Sequence, residues 1–169
     1  LMRTSVVGLF PKEVKTCAEN ICRLTHYDPR CVGSCVIVAE LIHALVYGLE
    51  PATMPMMLNM ALSYDAEICN YIERAMREQN VVNLMNADHM GYTLVPLSVA
   101  LWAYWHANSF EEGLLAVVNA GGDADTNAAV ACAILGAKFG CQSIPQEYIE
   151  GLLYREQLES TVLKLSEMC

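Results

Sequence analysis

Basic residues are scarce in this chain. Ten Lys and Arg stand against nineteen Asp and Glu over 169 residues, giving a net charge of -9. Binding a phosphate backbone needs clustered cations, and the few here are scattered, so a nucleic-acid partner is excluded as an expectation. Strand patterns are missing too. No set of short alternating apolar runs exists from which to build a parallel or antiparallel sheet. There is no C-x-x-C pair for zinc or thiol exchange. Repeats, low-complexity runs and linkers are absent. The apolar stretches 35–39 and 128–137 are too short to span a bilayer, and Glu40 and His43 interrupt the longer pattern, so no membrane partner is expected. The chain opens on Leu1, so the lack of a leader carries little weight.

What is abundant is apolar material, at 54% of residues. That suffices for one globular domain or part of a larger one. Eight cysteines occur at irregular spacings. Most fall in apolar helical pattern, where a free thiol behaves as a small hydrophobe. Read as reduced, they place the chain in the cytoplasm, with the nucleus as the other reducing setting. Cys31 and Cys35 are four apart and could share a metal, a weaker reading than plain packing.

One stretch stands out. Gly121-Gly122-Asp123-Ala124-Asp125-Thr126-Asn127 puts two carboxylates and a hydroxyl within four residues. A helix starting here sets Asp123 and Thr126 on one face, with Asp125 beside it. All three are hard oxygen donors of the kind Mg²⁺, Ca²⁺ and Mn²⁺ prefer. Helix-capping aspartates are the simpler reading, since the helix dipole favours negative charge there. It accounts for one acid better than for two. Like charges about 4 Å apart cost roughly 4 kcal/mol at an effective dielectric near 20, unless a cation joins them. An EF-hand is excluded, because Ala128 and Ile134 occupy its glycine and bidentate-glutamate positions. A phosphatase-type Asp-x-Asp is disfavoured, because Asn119-Ala120-Gly121-Gly122 intervenes where an apolar strand should lead in. The small residues from Ala128 to Gly140 describe a helix that can sit close to its neighbours and hold the acids rigidly.

The remaining pattern is helical. Val14, Cys17, Ala18, Ile21 and Leu24 predict a helix over 12–24. Asp28-Pro29 reads as an N-cap with Pro at the first helical position, opening a buried helix over 29–47 that ends at Gly48. His43 within it is a core or groove residue. Thr53 is placed to cap the next helix, and 55–78 hold one or two helices with Met56, Met57 and Met60 as core filling. The irregular stretch 79–92 contains Asp88 and His89, read as solvated loop polarity rather than ligands. Pro96 falls in the first turn of a helix over 93–106, where it is tolerated. Ser109 and Glu112 form a capping box for the helix that runs to the Gly pair. Pro145 opens a short helix, and 155–167 form a last amphipathic one with Leu158, Val162 and Leu165 on one face.

Gly-Gly-Asp-Ala-Asp-Thr-Asn-Ala-Ala resembles the C-terminal signature of the ADP-ribosylglycohydrolase family, which includes the dinitrogenase-reductase-activating glycohydrolases. Three more stretches agree in the family's order. Leu1-Met2-Arg3 with Gly8-Leu9-Phe10 is similar to the end of its phosphate-loop motif, Asn-Gly-Ser/Ala-x-Met-Arg. Thr25-His26-Tyr27-Asp28-Pro29 resembles its Thr-His segment. Gly91-Tyr92-Thr93 through Ala100-Leu101-Trp102 resembles the segment before the acidic motif. The resemblance runs from residue 1 to about 153.

It implies an all-α orthogonal helix bundle holding two divalent ions, usually Mg²⁺ with Mn²⁺ as a substitute. Such enzymes hydrolyse the bond between ADP-ribose and an acceptor. Asp123, Asp125 and Thr126 match the family's C-terminal metal ligands, and the two carboxylates are the catalytic candidates. Met2 and Arg3 match residues beside the diphosphate loop. The resemblance also favours His26 as a ribose or phosphate contact and Tyr92 as a stacking ring, and it places Gly121 and Gly122 at the substrate. The family's Thr-Asp-Asp cluster and catalytic acid belong to a half upstream of the loop. The expectation is therefore one ADP-ribosylglycohydrolase-like domain, incomplete at its N-terminus, with the missing segment or a partner chain supplying the rest. The alternative is an inactive ADP-ribose-binding or structural protein of the same fold.

Overall fold

The computed structural model describes residues 1–50, 53–85 and 91–167. All regular structure among them is helical. A 3₁₀ run over Met2–Leu9 leads into α1 (Val14–Arg23), α2 (Pro29–Val46), α3 (Met54–Leu62) and α4 (Glu67–Arg77). A short 3₁₀ turn at Val81–Leu84 precedes α5 (Leu94–His106), α6 (Phe110–Asn119) and α7 (Ala124–Phe139). The chain closes with α8 (Gln146–Glu150) and α9 (Arg155–Ser166).

The centre is α5. Every residue from Leu94 to Ala103 is buried, so no polar stripe marks a solvent side. It packs most closely on α7, whose buried face is Asn127, Val130, Ala131, Ile134 and Leu135. Helix α6 covers the other side of α7. Their contact is close because Gly113 lacks a side chain: a Cβ there would lie 2.6 Å from Leu135 Cδ1. Lys138, in the last turn of α7, donates to the Tyr104 and Ala107 carbonyls at 2.7 and 3.1 Å. It thereby satisfies carbonyls at the end of α5 that have no helical partner. Trp102 Nε1 donates to the Glu78 carbonyl at 3.0 Å and ties α5 to the end of α4.

Helix α2 forms a second centre. By length and composition it could cross a membrane, yet 61% of it is buried inside the protein, as suits a core helix. The 3₁₀ run lies along it. Gly8 permits that approach, since a Cβ would sit 2.7 Å from the Ala39 carbonyl oxygen and the Ile42 side chain. His43 is half-buried with Nδ1 3.3 Å from the Gly8 carbonyl, in keeping with a groove residue. Asp28 caps α2 through the Arg30 amide at 2.9 Å. Its carboxylate also meets the Arg30 guanidinium at 2.7 Å. Those bonds, the Arg30 side chain first, hold Asp28 down at about 2.

A test follows for Asp28. Its folded value lies below the unfolded one, so its contribution is whole above about pH 4 and fades as pH falls toward 2. The pair is 34% and 40% exposed, so solvent weakens it and the cap dominates. Asp28→Ala is expected to cost about 1 kcal/mol at pH 7. The deficit should shrink when urea unfolding is repeated near pH 2.5.

Several details depart from the sequence pattern. Leu24 is 77% exposed, beyond the end of α1, because the chain turns away there toward Asp28. Thr53 stands at the N-cap of α3, but its side chain makes no capping bond. Met57 is fully buried and Met60 packs on the core, whereas Met56 points outward at 54% exposure. The capping box of α6 is shifted: Ser109 Oγ accepts from Glu112 N, but Glu112 reaches back to the Asn108 amide rather than that of Ser109. Helix α9 buries nothing, and Leu158 and Val162 are 45% and 62% exposed. Asp88 and His89 lie outside the described residues.

Candidate functional site

A cavity of about 370 Å³ opens where the 3₁₀ run, the end of α1, the starts of α2 and α5, and the start of α7 meet. Four segments far apart in sequence thus contribute to one wall set. Met2, Arg3, His26, Asp123 and Thr126 all line it, so five of the residues singled out from the sequence come together. Asp125, Tyr92, Gly121 and Gly122 are not among the lining residues.

The N-terminal wall is a hydrogen-bonded chain. Arg3 Nη2 donates to the Ile21 carbonyl at 3.1 Å and to Thr25 Oγ1 at 2.6 Å. Thr25 Oγ1 in turn lies 2.7 Å from His26 Nδ1. Either partner can donate in that contact, because Thr25 Oγ1 keeps its own proton and a second lone pair beside the one Arg3 uses. In the tautomer that accepts at Nδ1, the ring proton sits on Nε2 and can be given to a ligand oxygen. A guanidinium has five N–H groups, so Arg3 keeps others for an anion after holding Ile21 and Thr25. Thr4 is buried at 1% exposure with its hydroxyl on the Leu1 carbonyl at 2.6 Å. It pins the turn that presents Arg3.

Just before the α7 residues that line the cavity come Gly121 and Gly122, at φ of 77° and 66°. Two consecutive left-handed residues suit only glycine without strain. They swing the chain so that α7 starts at the cavity. Asp123 occupies the N-cap, where its carbonyl accepts from Asn127 N at 3.0 Å, but its carboxylate makes no capping bond. The simple capping reading thus fails for Asp123. Asp123 and Thr126 both line the cavity. Asp125 is exposed, and its Oδ1 accepts from the Thr126 amide at 2.9 Å.

Asn127 adds a feature that pattern reading did not assign. It is 1% exposed, its amide nitrogen donates to the Met85 sulfur at 3.4 Å, and its Oδ1 is buried with no hydrogen-bond partner among the described residues. An unsatisfied buried acceptor costs about 1–3 kcal/mol. Tyr92 is held at the mouth of α5. Its hydroxyl donates to Glu67 at 2.8 Å and accepts from Arg30 at 3.1 Å, and its ring meets Tyr71 edge-on. Burial first, then Glu67, pushes its phenol up to about 12.

Asp123 and Thr126, whose oxygens are of the right kind for a hard cation, therefore line the cavity, with Asp125 alongside. Their number is small. Among the described residues no group of three His, Cys, Asp or Glu side chains converges on one point. That also removes Cys31 and Cys35 as part of such a cluster. Thr25, Thr93, Cys22 and Cys31 line the cavity without having been singled out for it. Thr25 was legible beside His26; the others depend on how distant segments meet.

An all-helical bundle thus brings an Asp-Thr helix start and an Arg-Thr-His group to one cavity. The ADP-ribosylglycohydrolase family model matches residues 1–169, and the chain belongs to that family. It is 27% identical over 150 residues to the ADP-ribosylarginine hydrolase Tri1 of Serratia proteamaculans, covering 85% of this chain and 38% of that protein. An Archaeoglobus fulgidus protein of no described function is 34% identical, over 99% of this chain and 57% of its own length. The ADP-ribosyl-[dinitrogen reductase] glycohydrolase of Rhodospirillum rubrum is 25% identical over 77% of this chain and 40% of its own. A solved ADP-ribosylglycohydrolase-related protein complex superposes with a TM-score of 0.72 at 28% identity, over 97% of this chain and 56% of that one. The chain thus spans roughly two fifths to three fifths of the length of these relatives.

Proposed function

We propose that this chain forms one side of an ADP-ribose site in a hydrolase that cleaves ADP-ribose from an acceptor, with an arginine side chain as the acceptor. Family membership and the names of the Serratia and Rhodospirillum relatives support the reaction, and the Serratia name supports arginine. The observation that carries the reading is the shared cavity, which Arg3, His26, Asp123 and Thr126 all line.

Each side chain has a task in this reading. Arg3 meets the diphosphate with the N–H groups not spent on Ile21 and Thr25. His26 donates from Nε2 to a phosphate or ribose oxygen. Asp123 accepts from a hydroxyl of the ribose whose bond is cleaved, and its charge favours the oxocarbenium-like state of such a cleavage. Mg²⁺ suits Asp123, Thr126 and Asp125 in donor chemistry, and would supply charge to orient the ribose and polarise a water. Two such ions want about six ligands each. Two aspartates and one threonine fall short of that, so we propose that a further segment of the protein or a partner chain provides the remaining ligands.

The test is calorimetric titration of ADP-ribose into the wild type and His26→Ala. Loss of one hydrogen bond should weaken binding by about 1 kcal/mol, roughly fivefold. The melting temperature should barely move, because His26 is exposed and bonds only to its neighbour Thr25 through its ring. A large fall in melting temperature with unchanged affinity would return His26 to a structural role.

A further inference from the structure

Three cysteines gather at the edge of the cavity, and the proposed reaction uses none of them. Cys22 lies in the last turn of α1; Cys31 and Cys35 lie one turn apart in α2. Cys22 and Cys35 share a small buried cluster with Val32, at 4% and 1% exposure, and Cys31 packs against it. Cys22 and Cys31 line the cavity, so a small reagent can reach them from it. The Cys22 thiol donates to the His26 carbonyl at 3.6 Å.

We propose that Cys22 and Cys35 are a modification site: a dithiol that a low-molecular-weight disulfide converts to a disulfide stapling α1 to α2. The Cys22 thiolate attacks one sulfur of the reagent. A mixed disulfide forms and one small thiolate leaves. The Cys35 thiolate then attacks the Cys22 sulfur, and the second small thiolate leaves. Two protein thiols are oxidised, one small disulfide is reduced to two thiols, and the two protons pass to the leaving thiolates. Cys31–Cys35 is the wrong pair, because side chains one turn apart hold their Cβ atoms about 5–6 Å from each other, beyond the 3.5–4.5 Å a disulfide spans. Cys22 and Cys35 come from two helices packed on each other and so escape that constraint.

Burial first, then the neighbouring Cys35 and Cys31, pushes the Cys22 thiol up to about 12. Only the thiolate attacks. The staple therefore closes slowly at neutral pH and faster in alkali, by about tenfold per pH unit while the thiol is the main form.

The experiment incubates the full chain with oxidised glutathione at pH 7 and pH 9. Acid quenching, alkylation, trypsin and mass spectrometry follow. The expected product joins the Thr16–Arg23 peptide to the peptide beginning at Cys31, short of two hydrogens, with fragment ions placing the bond at Cys22 and Cys35. It should form faster at pH 9 and raise the melting temperature by several degrees, reversibly with reductant. A variant carrying Cys17→Ser, Cys31→Ser and Cys69→Ser should still form it, and adding Cys35→Ser should abolish it. Only mixed disulfides with glutathione, linkage through Cys17 or Cys31 in the wild type, or no reaction at pH 9 would overturn the assignment. Because the wild type alone gives the decisive fragment ions, failure of a variant to fold leaves the test intact.

Discussion

Asp123→Asn is expected to lower release of ADP-ribose from ADP-ribosylated arginine by roughly 10² to 10⁴-fold, while the circular dichroism stays that of the wild type. The substitution removes a charge and almost no volume. Asp123 is the acid that lines the cavity, and its side chain makes no capping bond. The change breaks no hydrogen bond at the helix start, whose first bond uses the Asp123 backbone carbonyl. The assay is run with Mg²⁺ present. Affinity for Mg²⁺ should fall in parallel, because a carboxylate ligand becomes a neutral amide. Asp125→Asn should also reduce turnover, but it carries a structural component as well, since Asp125 accepts from the Thr126 amide. Wild-type turnover in Asp123→Asn would remove the central residue of the site.

Leu135→Ala should be the most damaging of the conservative core changes, at about 2–5 kcal/mol. Leu135 is fully buried where α6 crosses α7. The side chain fills the notch left by Gly113, whose missing Cβ would lie 2.6 Å from Leu135 Cδ1 and 3.0 Å from Ala107 Cβ. Truncation leaves a void beside Gly113, which has no side chain to fill it. The pair makes a rescue test possible. Gly113→Ala alone should destabilise by crowding Leu135. In the double variant the crowding atom is gone, and the added methyl occupies part of the void. Ala also favours helix over Gly by about 1 kcal/mol. The double variant should therefore be more stable than Leu135→Ala alone, giving a coupling free energy of favourable sign. Urea unfolding of all four proteins measures it, and purely additive losses would contradict the packing described.

The helices were legible because their signals are local. Asp28-Pro29, Ser109 with Glu112, and the apolar spacing of α1 each act within one or two turns. The acidic motif was legible for the same reason: two glycines and two acids announce a sharp turn into a helix that bears charge. Less legible was what each acid would do. Asp123 and Asp125 are chemically alike, and only the backbone angles at Gly121 and Gly122 turn one toward the cavity and leave the other in solvent. Tyr92 shows the same limit. Its position before α5 is local, but its hydroxyl is taken up by Glu67 and Arg30 from two other helices. The cysteines were read as separate small hydrophobes, and the meeting of Cys22 with Cys35 depends on how α1 crosses α2. Leu158 and Val162 carry helical periodicity, yet periodicity says nothing of whether a partner is present.

The central claim is that Arg3 and His26 hold one end of ADP-ribose while Asp123 and Thr126 hold the other. A crystal of the protein grown with ADP-ribose and Mn²⁺ in place of Mg²⁺ tests it most directly, because the manganese is located by its anomalous signal. The account predicts a manganese peak in contact with the Asp123 carboxylate and the Thr126 hydroxyl, with the diphosphate against Arg3 and His26. ADP-ribose bound elsewhere, or a manganese peak that avoids Asp123, would contradict it.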